Sequence, residues 1–104
     1  MFNLLKNLFS RPDDQTLIEA IQDGAFLVDV RSAGEFASGS VPGAINIPVD
    51  QIEARINKFK DKKSIIVFCL SGGRSSQAQT ILQRNGFTNV LNGGTWKHVA
   101  SLKK

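Results

Sequence analysis

The feature that most constrains the fold is a run of consecutive apolar residues in the middle of the chain. Residues 64–68 (Ser-Ile-Ile-Val-Phe) lead directly into Cys69, and a similar run covers residues 25–30 and ends in charge. Successive side chains of a strand point to opposite faces, so a strand that is apolar at every position is buried on both. Both runs are therefore predicted to be strands of a parallel sheet that is covered on its two faces.

Helical patterns separate these strands. A first helix is predicted from Asp13 or Asp14 to about Asp23, with Gly24 as its stop. A second begins where Asp50 and Glu53 have the spacing of a capping box, and buries Ile52, Ile56 and Phe59. A third opens near residue 74 or 75 and ends at Gly86, while residues 45–47 and 88–91 form short strands. This alternation predicts an α/β domain in which ligands bind beyond the carboxyl ends of the strands, where Asp29 and Cys69 lie.

The composition is that of one ordinary globular domain, with 41% apolar and 21% charged residues in a length of 104. The single cysteine excludes an internal disulfide, so Cys69 is either buried filler or a reactive thiol. The net charge of +4 and the lysines at 58–63 and 97–104 would attract small anions, but we interpret them as a solvated lysine-rich surface rather than a functional patch. No nucleic-acid-binding motif is present, and we expect no nucleic-acid partner.

Residues 1–12 form an apolar arm outside the domain, which we place at 13–104. Phe2, Leu5 and Phe9 recur at helical spacing and indicate a short amphipathic helix that docks on the domain or contacts a membrane or partner. No apolar stretch is long enough to span a bilayer, and the N-terminus lacks the features of a secretory signal. We therefore expect no integral membrane span and a cytoplasmic location.

The segment with the clearest chemistry is Cys69-Leu70-Ser71-Gly72-Gly73-Arg74-Ser75, between a buried strand and the start of a helix. Backbone N–H groups at a helix N-terminus lack intrahelical partners, and together with the macrodipole they favour an anion such as a thiolate. Gly72 and Gly73 let the backbone curl, and Arg74 adds positive charge. This pattern predicts a lowered pKa and a nucleophilic Cys69. The alternative is a buried cysteine followed by an ordinary turn.

This loop resembles the active-site loop of rhodanese-like domains, in which a Cys and an Arg bracket four residues. Three further segments are similar to family motifs in the same order: Asp29-Val30-Arg31 with Glu35-Phe36, residues 40–48 (Ser-Val-Pro-Gly-Ala-Ile-Asn-Ile-Pro), and Gly93-Gly94-Thr95-Trp96. The resemblance covers about residues 13–98. It implies a three-layer α/β fold with a central, mostly parallel sheet of four to five strands flanked by helices. Ser40 stands where many members carry His, and Trp96 follows the glycine pair closely, which predicts a shortened C-terminal stretch.

The resemblance also implies a function. Cys69 would take the outer sulfur of a small anionic donor such as thiosulfate, become a persulfide, and pass the sulfur to a thiol, a protein acceptor or cyanide. The N–H groups from Leu70 through Ser75 would hold the sulfur, and neither a metal nor an organic cofactor would be needed. Asp29 and Arg31 would support the loop. We expect Asp29 to brace Arg74 and Arg31 to pair with Glu35. The alternative for Arg74 is direct contact with substrate.

Two other functions remain open. A phosphatase or arsenate reductase also places Cys and Arg around an oxyanion, but its loop is one residue longer than the four residues between Cys69 and Arg74. A non-catalytic sulfur carrier or docking module would need the same loop if it relays sulfur. The lone histidine, His98, is expected at the surface, and Trp96 is expected to be a packing residue.

Overall fold

The computed structural model describes residues 12–103. The predicted N-terminal arm therefore lies, except for Pro12, outside the described residues. The elements follow one another in the order α1 (Asp14–Gln22), β1 (Phe26–Asp29), α2 (Ala33–Ala37), β2 (Ile45–Asn46), two 3-10 helices (Val49–Gln51 and Glu53–Phe59), β3 (Ile65–Cys69), α3 (Gly73–Arg84), β4 (Val90–Thr95) and α4 (Trp96–Leu102). In the described part of the chain, no helix is both long enough and apolar enough to cross a membrane.

The four strands form one parallel sheet in the order β2-β1-β3-β4. The two apolar runs are the central strands β1 and β3, as their continuous hydrophobicity predicts. Their carboxyl ends lie side by side, since Val30 donates its N–H to the Phe68 carbonyl at 2.9 Å. The segments that follow Asp29 and Cys69 consequently meet at one edge of the sheet.

Alternation along β3 divides the core into two layers, one on each face of the sheet. Every residue of β3 is fully buried. One face carries Ile65, Val67 and Cys69, which pack with Phe59 and with Leu82 of α3; the other carries Ile66 and Phe68, which pack with Leu17 of α1 and Val99 of α4. Each such buried side chain contributes about 1.5–3 kcal/mol. The predicted three-layer α/β architecture is confirmed, and the Cys69 side chain faces the α3 layer.

The first helix begins and ends as predicted, because Asp13 accepts the Thr16 N–H at 2.8 Å and Gly24 adopts a positive φ of 84°. The helix predicted from Asp50 is instead a pair of 3-10 helices without a side-chain cap. The capping box lies elsewhere, at Ser32 and Glu35, and it starts α2, a helix that the sequence analysis did not predict.

The glycine pair before Trp96 explains how the last strand and helix fit. Between Val67 and Phe68 the β4 register skips one residue, Gly93. A Cβ on Gly93 would lie 2.6 Å from the Val99 Cγ2 atom, and Gly94 has a φ of 79°. The strand therefore bulges and lets α4 pack closely. The shortened C-terminal stretch still forms this helix, and Asn92 ties β4 to the first turn of α3 through the Ser76 hydroxyl at 3.0 Å.

Candidate active site

The cysteine loop is a short connection between β3 and α3. Cys69 is the last residue of β3, and Gly72 is the N-cap of α3 with a left-handed φ of 104°. This conformation turns the first backbone N–H groups of the helix toward the sulfur. The Cys69 Sγ atom accepts the Gly72 N–H at 3.0 Å and the Ser75 N–H at 3.3 Å. The N–H groups of Gly72 and Ser75 thus point at Sγ from the start of α3.

The Ser75 hydroxyl completes the surroundings of the sulfur. Its Oγ lies 3.5 Å from Sγ and donates to the Gly72 carbonyl at 3.0 Å. Ser75 is fully buried, and α3 has no side-chain cap, so this hydroxyl serves the sulfur and the loop backbone rather than the helix end. When the thiol is protonated, its S–H donates to Oγ; when it is a thiolate, the hydroxyl is the group able to donate.

Two opposing effects determine how easily Cys69 ionises. Burial disfavours the thiolate and raises its pKa. Hydrogen bonds from the Ser75 hydroxyl and from the backbone N–H groups of Ser75, Gly72 and Ser71 favour the thiolate and lower the pKa, and together they outweigh burial. The pKa of Cys69 is therefore below its ordinary value of 9.0. The loop can hold a nucleophilic sulfur nearer to neutral pH than a free cysteine.

Arg74 is held by Glu35. Its Nη1 and Nη2 atoms donate to the two Glu35 carboxylate oxygens at 2.7 and 3.0 Å, a bidentate pair between α3 and α2. This pairing lowers the pKa of Glu35 to about 2 and raises the pKa of Arg74. The predicted Asp29–Arg74 and Arg31–Glu35 pairs are both wrong. Glu35 belongs to the start of α2, whose first turn faces the loop, and Arg31 precedes that helix.

Asp29 and Arg31 pair with each other instead. Arg31 Nε donates to Asp29 Oδ1 at 2.9 Å, Nη2 donates to Oδ2 at 2.6 Å, and both side chains are buried. Ser40 Oγ also donates to Oδ2 at 2.6 Å, while the Arg31 guanidinium stacks over the Trp96 ring at 4.9 Å. This cluster lies at the end of β1 beside the cysteine loop, and within residues 12–103 none of its side-chain hydrogen bonds reaches the loop. Support of the loop by Asp29 and Arg31 stays a prediction.

The remaining predicted residues of the cysteine loop form its outer rim. Leu70 has 53% of its surface exposed, and Ser71 and Gly73 are also exposed, whereas Cys69 beneath them has no exposed surface.

His98 lies in the α4 layer, on the face of the sheet opposite the Cys69 side chain, and its Nε2 is 2.8 Å from Asp14 Oδ1. Trp96 packs against the core and against Arg31, as expected of a packing residue.

Sequence reasoning missed two contributors to this region. Glu35 was expected to pair with a near neighbour, but the Ser32-x-x-Glu35 spacing of a capping box was readable and would have placed Glu35 in the first turn of a helix. Ser40 was noted only as a departure from a family pattern. Its hydroxyl satisfies a buried carboxylate oxygen of Asp29, and no local signal links positions that are far apart in the sequence.

Comparison with known proteins places the chain in a family. Residues 13–97 match the rhodanese-like domain. The chain belongs to the rhodanese-like domain family. It is 33% identical over 82 residues to a sulfurtransferase of Allochromatium vinosum, which covers 77% of each chain. It is 38% identical over 78 residues to the thiosulfate sulfurtransferase PspE of Escherichia coli, with 73% of this chain and 75% of that protein covered.

A solved rhodanese structure agrees with the fold. The E. coli rhodanese with anions superimposes with a TM-score of 0.68 at 35% identity, covering 74% of this chain and 93% of the other. Within the rhodanese-like family, relatives named as sulfurtransferases support sulfur transfer as the general class of reaction.

Proposed function

We propose that this rhodanese-like protein is a sulfurtransferase that carries a sulfane sulfur as a persulfide on Cys69. The observation that carries the proposal is the arrangement around Sγ, which accepts N–H groups from Gly72 and Ser75 at 3.0 and 3.3 Å at the start of α3. These donors stabilise negative charge on sulfur without a metal or an organic cofactor.

The reaction proceeds in two half-reactions. In the first, the Cys69 thiolate attacks the outer sulfur of thiosulfate, the S–S bond of the donor breaks, and sulfite leaves with the bonding electrons. In the second, an acceptor thiolate or cyanide attacks the outer sulfur of the persulfide, and the Cys69 thiolate is released. The sulfur is thus transferred with no net oxidant, and ping-pong kinetics are expected.

The backbone N–H groups and the Arg74 side chain have different roles in the loop. The outer sulfur extends about 2 Å beyond Sγ, which is the length of an S–S bond. The N–H groups of Ser71, Gly72 and Ser75 that lower the Cys69 pKa hold the charge of the thiolate. Arg74, fixed by Glu35, positions the first turn of α3.

Intact mass spectrometry after incubation with thiosulfate tests the proposal. We expect the wild-type protein to gain one sulfur atom and Cys69→Ser to gain none. Ser101→Ala is a control because Ser101 is exposed on α4, on the face of the sheet opposite the Cys69 side chain, and this variant should load like the wild type. Absence of loading in the wild type, or Cys69-dependent hydrolysis of an aryl phosphate, would contradict the assignment.

The same experiment separates an enzyme from a sulfur carrier. An enzyme that uses thiosulfate loads within its turnover time and releases the sulfur to cyanide or a small thiol. A relay between proteins loads slowly from thiosulfate but rapidly from a persulfide on a donor protein. For a thiosulfate sulfurtransferase, we expect rapid loading from thiosulfate and release of the sulfur to cyanide or a small thiol.

A further inference from the structure

A cavity of about 290 Å³ adjoins the cysteine loop at Arg74. It lies at the carboxyl edge of the sheet, between the end of β1, the first turn of α2 and the 3-10 helix Val49–Gln51. Val30 joins these parts, since its N–H bonds to the Phe68 carbonyl and its carbonyl accepts the Val49 N–H at 3.0 Å. The cavity therefore lies beside the loop that holds the sulfur, with Arg74 as the residue common to both.

The wall of this cavity is largely apolar and carries little positive charge. Val30, Ala33, Pro48 and Val49 supply hydrophobic surface. Arg74 also lines the cavity, but the Glu35 carboxylate, 2.7 Å from its Nη1 atom, matches its charge. The lining residues therefore offer an anionic group no cation that is free of an ion pair.

One carboxylate in the cavity wall has no ion-pair partner among the described residues. Asp50 lines the cavity and is exposed, and it makes no ion pair with any residue between 12 and 103. Among the lining residues, the one charge without an ion-pair partner in the described part of the chain is therefore negative. A carboxylate on a molecule bound in the cavity is repelled by Asp50, whereas an uncharged group is not.

The exposed rim of the loop has the same character. Leu70, adjacent to Cys69, exposes 53% of its surface, and its neighbours Ser71 and Gly72 are uncharged. The wall of the cavity and the exposed rim of the loop thus both present apolar surface.

We infer that the cavity beside Arg74 binds the organic part of the sulfur acceptor, and that this acceptor is a thiol on an uncharged, partly apolar body of about the size of one cysteine unit. The inference rests on the proposed function and adds to it the class of acceptor. The volume of about 290 Å³ is near the lower limit of small-molecule sites, which suits a bound part of this size. A free small thiol and a cysteine within a peptide share this chemistry.

The transfer step is balanced. The acceptor thiol loses its proton to solvent, and its thiolate attacks the outer sulfur of the Cys69 persulfide. The S–S bond to Sγ breaks, its electron pair returns to Cys69 as the thiolate, and the acceptor leaves as a persulfide. The N–H groups of Gly72 and Ser75 receive the restored charge on Sγ.

Single-turnover kinetics with the persulfide-loaded protein test the inference. The two acceptors are N-acetylcysteine amide, which is uncharged, and N-acetylcysteine, which differs only by its carboxylate, and their rates are compared at equal thiolate concentration. We expect the amide to react about threefold to tenfold faster, as repulsion by one partly screened charge requires. Asp50→Asn should bring this ratio close to one by accelerating the anionic thiol.

Matched controls make each outcome decisive. Asp23→Asn removes one negative charge from an exposed carboxylate that pairs with Lys63, and should leave the ratio of the two rates unchanged. Equal rates in the wild type, or a ratio that does not respond to Asp50→Asn, would overturn the inference while the sulfur-loaded Cys69 still supports the proposed function. Failure of loading would instead overturn the function itself.

A third acceptor identifies the source of the thiol. A capped, uncharged tripeptide with a central cysteine should react at least as fast as the amide if the natural acceptor is a peptide or protein. A slower reaction of the tripeptide assigns the cavity to a free small thiol. Either result supports an uncharged acceptor, provided that N-acetylcysteine remains slower than both.

Discussion

The properties of Cys69 depend on the backbone conformation of a single neighbour. Gly72 occupies a left-handed conformation that side chains disfavour, and this conformation directs its own N–H and that of Ser75 at the sulfur. Gly73, the next residue, is the first residue of α3 and has ordinary helical geometry with open space around its Cα. The two glycines therefore have different roles, although the sequence makes them equivalent.

Substitution of each glycine by alanine separates these roles. Gly72→Ala should lose about 1 kcal/mol or more of folding free energy and slow sulfur loading, because the left-handed conformation is strained for alanine. Gly73→Ala should load normally and be neutral or slightly stabilising, since alanine is the better helix former. Denaturant unfolding and the rate of mass gain with thiosulfate measure both effects. Equal loading by the two variants would show that the conformation of Gly72 does not determine sulfur loading.

The loop could be predicted from the sequence because it is local: Cys69, the two glycines and the helix start lie within a few residues of one another. The charged pairs could not be predicted in the same way. The sequence analysis paired Arg74 with Asp29 and Arg31 with Glu35, whereas the structure pairs Arg74 with Glu35 and Arg31 with Asp29. The position of the first turn of α2 beside Arg74 decides between them.

At the level of the elements, α2 is a short helix whose first turn performs two tasks. Glu35 accepts the N–H of Ser32 at 3.1 Å, which closes the capping box, and it also receives the fork of Arg74. The start of α2 and the first turn of α3 are thereby joined through one carboxylate. A change in the protonation of Glu35 acts on both helices.

The pH dependence of stability reveals this junction. Folding lowers the pKa of Glu35 from 4.5 to about 2, so its contribution is complete above about pH 4.5 and is lost as the pH falls toward 2. The free energy of unfolding of the wild type should exceed that of Glu35→Gln at neutral pH, and this difference should close between pH 4.5 and 2. Denaturant titrations at a series of pH values measure it.

The reciprocal variant is the control for this pH profile. Arg74→Gln removes the same ion pair from the other side. Because Arg74 is the largest cause of the lowered Glu35 pKa, the free energy of unfolding of Arg74→Gln should depend much less on pH between 4.5 and 2 than that of the wild type. Parallel pH profiles for the wild type and Glu35→Gln would rule out the coupling.

Among the elements, those with a continuous or periodic pattern were predicted well. The strands β1 and β3 and the helix α1 lie within one or two residues of their predicted bounds. The segment after Asp50 differs because Arg55 interrupts it with non-helical backbone angles, so its turns close as 3-10 helices. Ile52 and Phe59 are nevertheless buried as predicted, because the apolar pattern constrains which side chains face the core more strongly than it constrains the type of helix.

Across the whole molecule, one buried cluster joins parts that are distant in the sequence. Asp29 binds Arg31 and Ser40, and Asn46 of β2 donates to the backbone carbonyls of Asp29 and Arg31 at 2.9 Å. The stack of Arg31 on Trp96 extends the cluster to α4. Because this ion pair is buried, removal of one of its two charges costs much folding free energy.

Asp29→Asn tests the importance of this cluster for the fold. Removal of the charge leaves the Arg31 guanidinium buried without its counter-ion and should lower the free energy of unfolding by about 3–5 kcal/mol. Asp23→Asn, in an exposed pair with Lys63, should change it by only about 0–1 kcal/mol. Thermal or denaturant unfolding of the two variants gives the comparison. A loss for Asp29→Asn no larger than that for Asp23→Asn would mean that the pair is dispensable.

The strand order has a consequence for the newly synthesised polypeptide. The cysteine strand β3 lies between β1, which leaves the ribosome earlier, and β4, which leaves it later. Because α3 rests on β3 and is tied to β4 through Asn92, the helix start that activates the sulfur has its full support only after translation has passed Thr95. Until then we expect the pKa of Cys69 to be that of an ordinary thiol. The order of synthesis would thus place formation of the anion-binding loop after completion of the core that covers it.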